Sequence, residues 1–300
     1  MSVTIASAQY PISQHADFAS WQKHIENWVA DAAAKGAQLL LFPEYGAMEL
    51  ISILSPEIQQ DIFLQIAAMN DFTESFCGVF AELALKHHVV IVAPSMPVID
   101  NGKHLNRVFV FSDKGLAGYQ DKFFMTRFEN EEWGIQSAPK VLTVFEAAWG
   151  KFGIQICYDI EFGLGSQLLC SAGASLILVP SCTETIRGAT RVHVGARARA
   201  LENQAYTAVS QTVGNATWSP AVDINYGYSA FYSTPDKGLP EEGIIAAEIP
   251  QKEGWLIQQL DFAKIEEVRH DGHVLNFNDQ QKINVEMHSE EVRILHVRCV

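Results

Sequence analysis

Positive charge is scarce in this 300-residue chain: 21 lysines and arginines stand against 35 aspartates and glutamates, a formal net charge of -14. Nucleic-acid affinity is built from clustered Lys and Arg, so no nucleic-acid partner is expected. Long apolar runs are missing too. Stretches such as SLILVP and VVIVAP fall far short of the ~20 residues that cross a bilayer, so no membrane partner is expected either. The opening MSVTIASAQYPIS has neither the basic patch nor the long apolar core of a secretory signal, and a cytoplasmic location follows as the expectation. Five cysteines, Cys77, Cys157, Cys170, Cys182 and Cys299, form an odd set without a C-x-x-C pair. That argues against a disulfide framework and against a zinc knuckle. The ten histidines contain no His-Glu-x-x-His helix, so no metal and no other cofactor is expected.

What is present is the alternation of an α/β protein. Hydrophobic residues make up 48% of the chain and charged residues 19%, and 300 residues can bury a large core. SVTIASAQY reads as a first strand. Asp17 to Lys35 reads as a helix whose Phe18, Trp21, Ile25, Trp28, Val29 and Ala32 share a face, with Gly36 as its stop. AQLLLFPE is too uniformly apolar for a wet face and belongs inside a covered sheet. Asp71 and Glu74 have capping-box spacing before a helix striped by Phe72, Phe76, Phe80, Leu83 and Ala84. HVVIVAPSMPV is the next strand, NRVFVFSDKGLAGYQDK a hairpin turning at Asp113-Lys114-Gly115, and KFGIQICYD a further strand. Glycines 163, 165 and 173 bracket a short helix before SLILVPSC, then come the helical GATRVHVGARARALENQ and the strand AYTAVSQTVG. From about Asp261 the pattern turns polar, with strand-like pieces such as VRILHV. No linker-like run divides the chain, so residues 1–262 read as one domain and 263–300 as a C-terminal arm that packs on the domain or on a partner subunit.

Three residues stand where apolar runs break into polar loops: Glu44 after AQLLLFP, Lys122 in AGYQDKFFMTRFE and Cys157 after KFGIQI. A carboxylate, an ammonium and a thiol at one end of a sheet supply a base, an oxyanion stabiliser and a nucleophile. Taken singly, each has an ordinary reading: a helix-start charge, a solvated loop cation and an inert core thiol. The words around them change that balance. LFPEYG, DKFFMTRFE and ICYDIEF, in this order, resemble the nitrilase or carbon–nitrogen hydrolase superfamily, and the likeness runs from SVTIASAQY to about DFAKIEEVR.

That resemblance implies a four-layer αββα sandwich whose subunits associate as a homodimer or higher homo-oligomer. It assigns Cys157 as nucleophile, Glu44 as general base and Lys122 as the cation beside the developing oxyanion. Glu129, seven residues after Lys122, matches a second glutamate that positions substrate, although Glu131 and Glu132 stand beside it. The backbone N–H of Tyr158 would share the oxyanion, and Ser181 and Cys182 could line the pocket. Cys-Tyr-Asp points to the amidase-type branches, hence to a small linear amide opened through a thioester. An N-carbamoyl amide hydrolase or a nitrilase with the same triad is the runner-up, and a catalytically silent binding or scaffold protein is the alternative of another class.

Other residues have structural defaults. Asp159 and Glu161 organise the turn after the nucleophile, and His193 is a packed or solvated histidine. Arg197, Arg199 and Glu202 have the spacing of helix-surface ion pairs. Tyr45, Trp133 and Trp218 are candidate pocket walls. The family commonly carries Pro-Glu and then Arg after C-Y-D-x-x-F, where this chain has Gly163, Leu164 and Gln167. Losing acid and base together leaves no orphan charge and is compatible with a rearranged structural pair.

Overall fold

A computed structural model describes residues 1–289 and 295–298. The strands are β1 (Ser2–Pro11), β2 (Leu39–Leu41), β3 (Val90–Val92), β4 (Met96–Asp100), β5 (Lys103–Ser112), β6 (Gly115–Asp121) and β7 (Phe145–Ala147). They continue with β8 (Gly150–Ile154), β9 (Leu176–Ser181), β10 (Tyr206–Asn215), β11 (Ile224–Asn225), β12 (Ala230–Tyr232), β13 (Ile244–Ala247) and β14 (Gly254–Asp261). The helices are α1 (Phe18–Ala34), α2 (Pro56–Gln60), α3 (Ile62–Met69), α4 (Thr73–His87), α5 (Gly163–Ser171), α6 (Ile186–Asn203), α7 (Phe262–Asp271) and α8 (Asn276–Ser289).

The main sheet path runs β4-β5-β3-β2-β1-β10-β9-β8-β7. Among the described residues, its two halves join only where Gln9–Pro11 of β1 meet Gln211–Val213 of β10 in parallel. Below that join each strand takes a different neighbour on the same edge: β14 runs antiparallel along Ser2–Gln9, and β12 along Thr207–Val209. The sheet therefore curls into two layers, which with helices outside each make the αββα sandwich.

Strand alternation builds the layers. Ala6, Ala8, Leu40, Phe42, Ile91, Phe109 and Phe111 face Trp21, Ile25 and Val29 of α1 and Phe76, Phe80 and Leu83 of α4. Their neighbours Val3, Ile5, Leu39, Leu41, Val92, Val108 and Val110 join the second layer, with Ile154, Leu176 and Leu178, and the inner face of α6 in one core. With no wet face, β2 has the uniform Leu39–Leu41 run that a doubly covered strand requires.

Two local expectations are corrected. HVVIVAPSMPV is two strands, broken at Ala93–Ser95, because Pro94 cannot donate to a ladder. The break is used: the Ser95 hydroxyl accepts from the Tyr45 backbone N–H at 2.8 Å. The Asp71–Glu74 capping box is not formed, since α3 runs through a 3-10 turn at Asn70–Phe72 into α4 with right-handed backbone throughout. No helix start exists there to cap. At α1, by contrast, Asp17 and Ser20 form a capping box.

Beyond β14, α7 buries Phe262, Ile265 and Val268. Arg269 donates to the carbonyls of Ala174, Asn203 and Gln204, which fixes α7 against the ends of α5 and α6. Of the strand-like VRILHV, residues 292–294 lie outside the described residues, as does Cys299, and residues 295–298 carry no regular structure.

Candidate active site

The loops after β2, β6, β8 and β9 converge at one end of the sandwich. Glu44 follows β2, and both its oxygens are held. Oε1 accepts from Lys122 Nζ at 2.7 Å and from Asn106 Nδ2 at 2.9 Å, while Oε2 accepts from the Cys182 N–H at 3.0 Å. Lys122, just past β6, also donates to Glu129 Oε1 and Oε2 at 2.8 and 2.7 Å. Glu129 in turn accepts from the Tyr45 hydroxyl at 2.8 Å and from the N–H and hydroxyl of Thr126. Glu131 points away and pairs with Arg127 on the surface, which separates the inward acid from its neighbour.

Cys157 opens a short 3-10 turn after β8 with φ of 47°. A non-glycine residue in the left-handed region is strained and persists only where its surroundings hold it. They do so here. Asp159 accepts from the N–H groups of Phe123 and Phe124, tying the Cys157 turn to the Lys122 loop. Arg199 Nη1 donates to Ile160 O at 3.0 Å, and the rest of its guanidinium pairs with Glu202. Arg199 is therefore buried under the turn rather than displayed on a helix surface, a correction to its sequence reading. Gly163 packs against this same pair from α6.

Electrostatics follow from burial and proximity. Burial pushes Glu44 above the usual carboxylate range, the Lys122 charge opposes this, and the Glu129 charge adds to it. Burial also opposes a charged Lys122, yet Glu129 and Glu44 together hold it well above the usual lysine value. Burial would raise Glu129, but the Lys122 charge and the hydrogen bonds from Lys122, Thr126 and Tyr45 together hold it below its ordinary value. The Cys157 thiol is pushed well up, by burial first and then by Glu44. Burial raises Asp159 to about 7 against the pull of Lys122 and its N–H donors. The surroundings thus disfavour the thiolate of Cys157, raise the basicity of Glu44 and favour the charged form of Lys122 between its two acids.

These groups floor a cavity of about 640 Å³. Tyr45, Met125, Phe128 and Trp133 give apolar wall, and Arg127, Arg187, Arg191, Glu161 and Glu184 give charge nearer the mouth. Tyr158 and Cys182 line it as well. Ser181 does not: it is fully buried behind the wall with its hydroxyl unpartnered, because alternation along β9 turns it away and presents Cys182. Trp218 is also outside the cavity, its carbonyl accepting from Gln60. His193 is buried elsewhere, stacked on Tyr228 at 3.7 Å and hydrogen-bonded to Tyr232 and Gln211. Three participants escaped the sequence reading: Asn106, the Cys182 N–H and the Tyr45 hydroxyl. Asn106 left a signal, a polar side chain at an inward position of the apolar run VFVF and its approach.

A carbon–nitrogen hydrolase family model matches residues 4–270. The probable hydrolase YhcX of Bacillus subtilis is 32% identical over 280 residues, covering 93% of this chain and 54% of that protein, so the chain spans about half of that relative's length. The omega-amidase NIT2 of Homo sapiens is 25% identical over 256 residues, covering 81% of this chain and 83% of its own. Among solved structures, a carbon–nitrogen hydrolase from Helicobacter pylori superposes with a TM-score of 0.76 at 18% identity, over 94% of this chain and 96% of that one. Yeast Nit3, a member of branch 10 of the nitrilase superfamily, superposes at 0.71 with 22% identity, over 89% and 93%. With nearly the whole sandwich matched in sequence and in fold, the chain belongs to the carbon–nitrogen hydrolase family, enzymes that cleave non-peptide carbon–nitrogen bonds with a cysteine nucleophile.

Proposed function

We propose that the chain hydrolyses a small linear amide with Cys157 as nucleophile, Glu44 as general base and Lys122 as the oxyanion cation. The sulfur adds to the amide carbon while its proton passes to Glu44. Negative charge on the carbonyl oxygen is met by the Lys122 ammonium and the Tyr158 N–H. Collapse of the adduct breaks the carbon–nitrogen bond, and Glu44 returns the proton to the departing amine or ammonia. Water, deprotonated by Glu44, then opens the thioester to a carboxylic acid and restores the thiol. Glu129 fixes Lys122 and, with Tyr45, presents an edge to the substrate amide.

One observation carries this reading: Lys122 Nζ sits 2.7 Å from Glu44, in the cavity that Cys157 also lines. Incubation with a panel of linear amides should release ammonia and leave an acyl mass on the Cys157 peptide, and Cys157→Ala should do neither while keeping its circular dichroism. Ammonia release by pure Cys157→Ala would refute the assignment. The omega-amidase relatives support an amide over a nitrile.

A second reading concerns the far end of the substrate. Arg187 lines the cavity with no ion-pair partner among the described residues, whereas Arg127 and Arg191 are paired with Glu131 and Glu161. A carboxylate there would favour acidic amides or N-carbamoyl compounds. Exposed Leu164, Leu168, Ile186 and Val194 on α5 and α6 support homo-oligomerisation through these helices. The unpaired cysteines among the described residues suit a reducing, cytoplasmic setting.

A further inference from the structure

Glu49 lies five residues beyond Glu44, fully buried in the 3-10 segment Gly46–Ile53. Both its oxygens already accept hydrogen bonds, Oε2 from the Tyr10 hydroxyl at 2.7 Å and Oε1 from the Ser13 N–H at 2.8 Å. Two histidines nevertheless aim at it. His15 Nε2 stands 3.6 Å from Oε2, and His24 Nε2 3.9 Å from Oε1. Those separations are too long for hydrogen bonds. Both nitrogens are shielded from solvent and have no hydrogen-bond partner, with the His15 side chain only 7% exposed.

We propose that His15, His24 and Glu49 form a site for a divalent transition-metal ion of the zinc type. The donor atoms all lie within 4.8 Å of one another. Imidazole nitrogens and a carboxylate oxygen around zinc sit at roughly 2.0–2.2 Å from the metal, which in a tetrahedron spaces donors about 3.4 Å apart. The two histidine–carboxylate edges, 3.6 and 3.9 Å, need to contract by about half an ångström or less, and the longest separation in the triangle by up to about 1.4 Å, within reach of side-chain rotation. Two imidazoles with one carboxylate suit zinc or cobalt better than calcium or magnesium, which prefer oxygen donors.

The surroundings are those of a held site. The His15 backbone N–H donates to the Ser52 hydroxyl at 2.9 Å, the two rings stand 5.1 Å apart, and Tyr10 orients the carboxylate. His24, on α1, is 26% exposed and borders a groove of about 240 Å³ with Trp28 and Trp255, so one of the three ligand side chains reaches the surface. The donors come from three places, the β1–α1 connection, α1 and the segment after Glu44. A bound ion clamps these together at a distance from the cavity, as a structural rather than a reacting metal.

The test titrates full-length protein in the Cys157→Ala background with Zn²⁺ by calorimetry and with Co²⁺ by visible absorption. The proposal expects one equivalent bound, a raised melting temperature, and cobalt bands without thiolate charge transfer. His24→Asn, on a partly exposed helix face, should weaken binding at least tenfold while keeping the apo fold. Glu49→Gln should do the same where it folds. No binding, undiminished binding in His24→Asn, or a thiolate band from the remaining cysteines would each overturn the site.

Discussion

The floor and the mouth of the cavity hold the same kinds of ion pair in opposite surroundings. On the floor, Lys122 is 1% exposed between Glu44 and Glu129, and every carboxylate oxygen has a donor. At the mouth, Arg127 is 85% exposed and Glu131 half exposed, and their pairing competes with water. A buried charge that loses its partner cannot turn to solvent, whereas an exposed one can. Burial therefore makes the floor a single unit, in which each group sets the basicity of the others. The mouth remains a set of separable contacts free to serve substrate selection.

Replacing Lys122 breaks the contrast most severely. Lys122→Met leaves two buried carboxylates facing each other, and urea denaturation should show a loss of about 3–5 kcal/mol together with no detectable turnover. Glu129→Gln tests the coupling within the unit. It should lower kcat/KM by roughly 10²- to 10³-fold, and the pH profile should move in a defined direction. In the proposed mechanism Glu44 must be unprotonated to act as base, so its upward shift moves the acid limb up from the ordinary carboxylate range. Removing the Glu129 charge lowers that pKa and shifts the limb to lower pH; an unmoved limb would show that Glu129 does not tune the base.

His193 extends the comparison to a buried group without a counter-charge. Burial lowers it to about 4, against 6.5 for the free side chain. The unfolded chain then binds the proton more readily between those values, so stability is present above pH 6.5 and is lost as pH falls toward 4. The loss is on the order of 3 kcal/mol. Thermal melts of wild type and His193→Gln over that range should converge at the acid end. The smallest effect belongs to the mouth: Arg127→Ala should change stability by less than about 0.5 kcal/mol, read by the same denaturation. A larger loss would mean that the mouth is not separable from the floor.

Legibility in the sequence followed the same division. Glu44, Lys122 and Cys157 sit in short words at strand ends, and local pattern was enough to single them out. Asn106 and the Cys182 N–H are brought to Glu44 from 62 and 138 residues away, by strand order rather than by any neighbouring word. Arg199 looked like half of an exposed i, i+3 pair because a helical wheel does not know that the Cys157 turn lies over it. The strand break at Pro94 was visible as a proline, but its purpose, presenting Ser95 to Tyr45, depends on β2 and β3 lying side by side. Helix α1 was legible almost to the residue, since its cap, stripe and stop are all local.

The pairing of β14 with β1 also bears on how the molecule is made. Residues 2–9 find their antiparallel partner at 254–261, so during synthesis one edge of the first strand stays open until the ribosome has released almost the whole sandwich. Such a long wait with unpaired backbone favours slow maturation and invites mispairing between nascent chains. Truncation before residue 254 should consequently yield aggregates instead of a smaller soluble core.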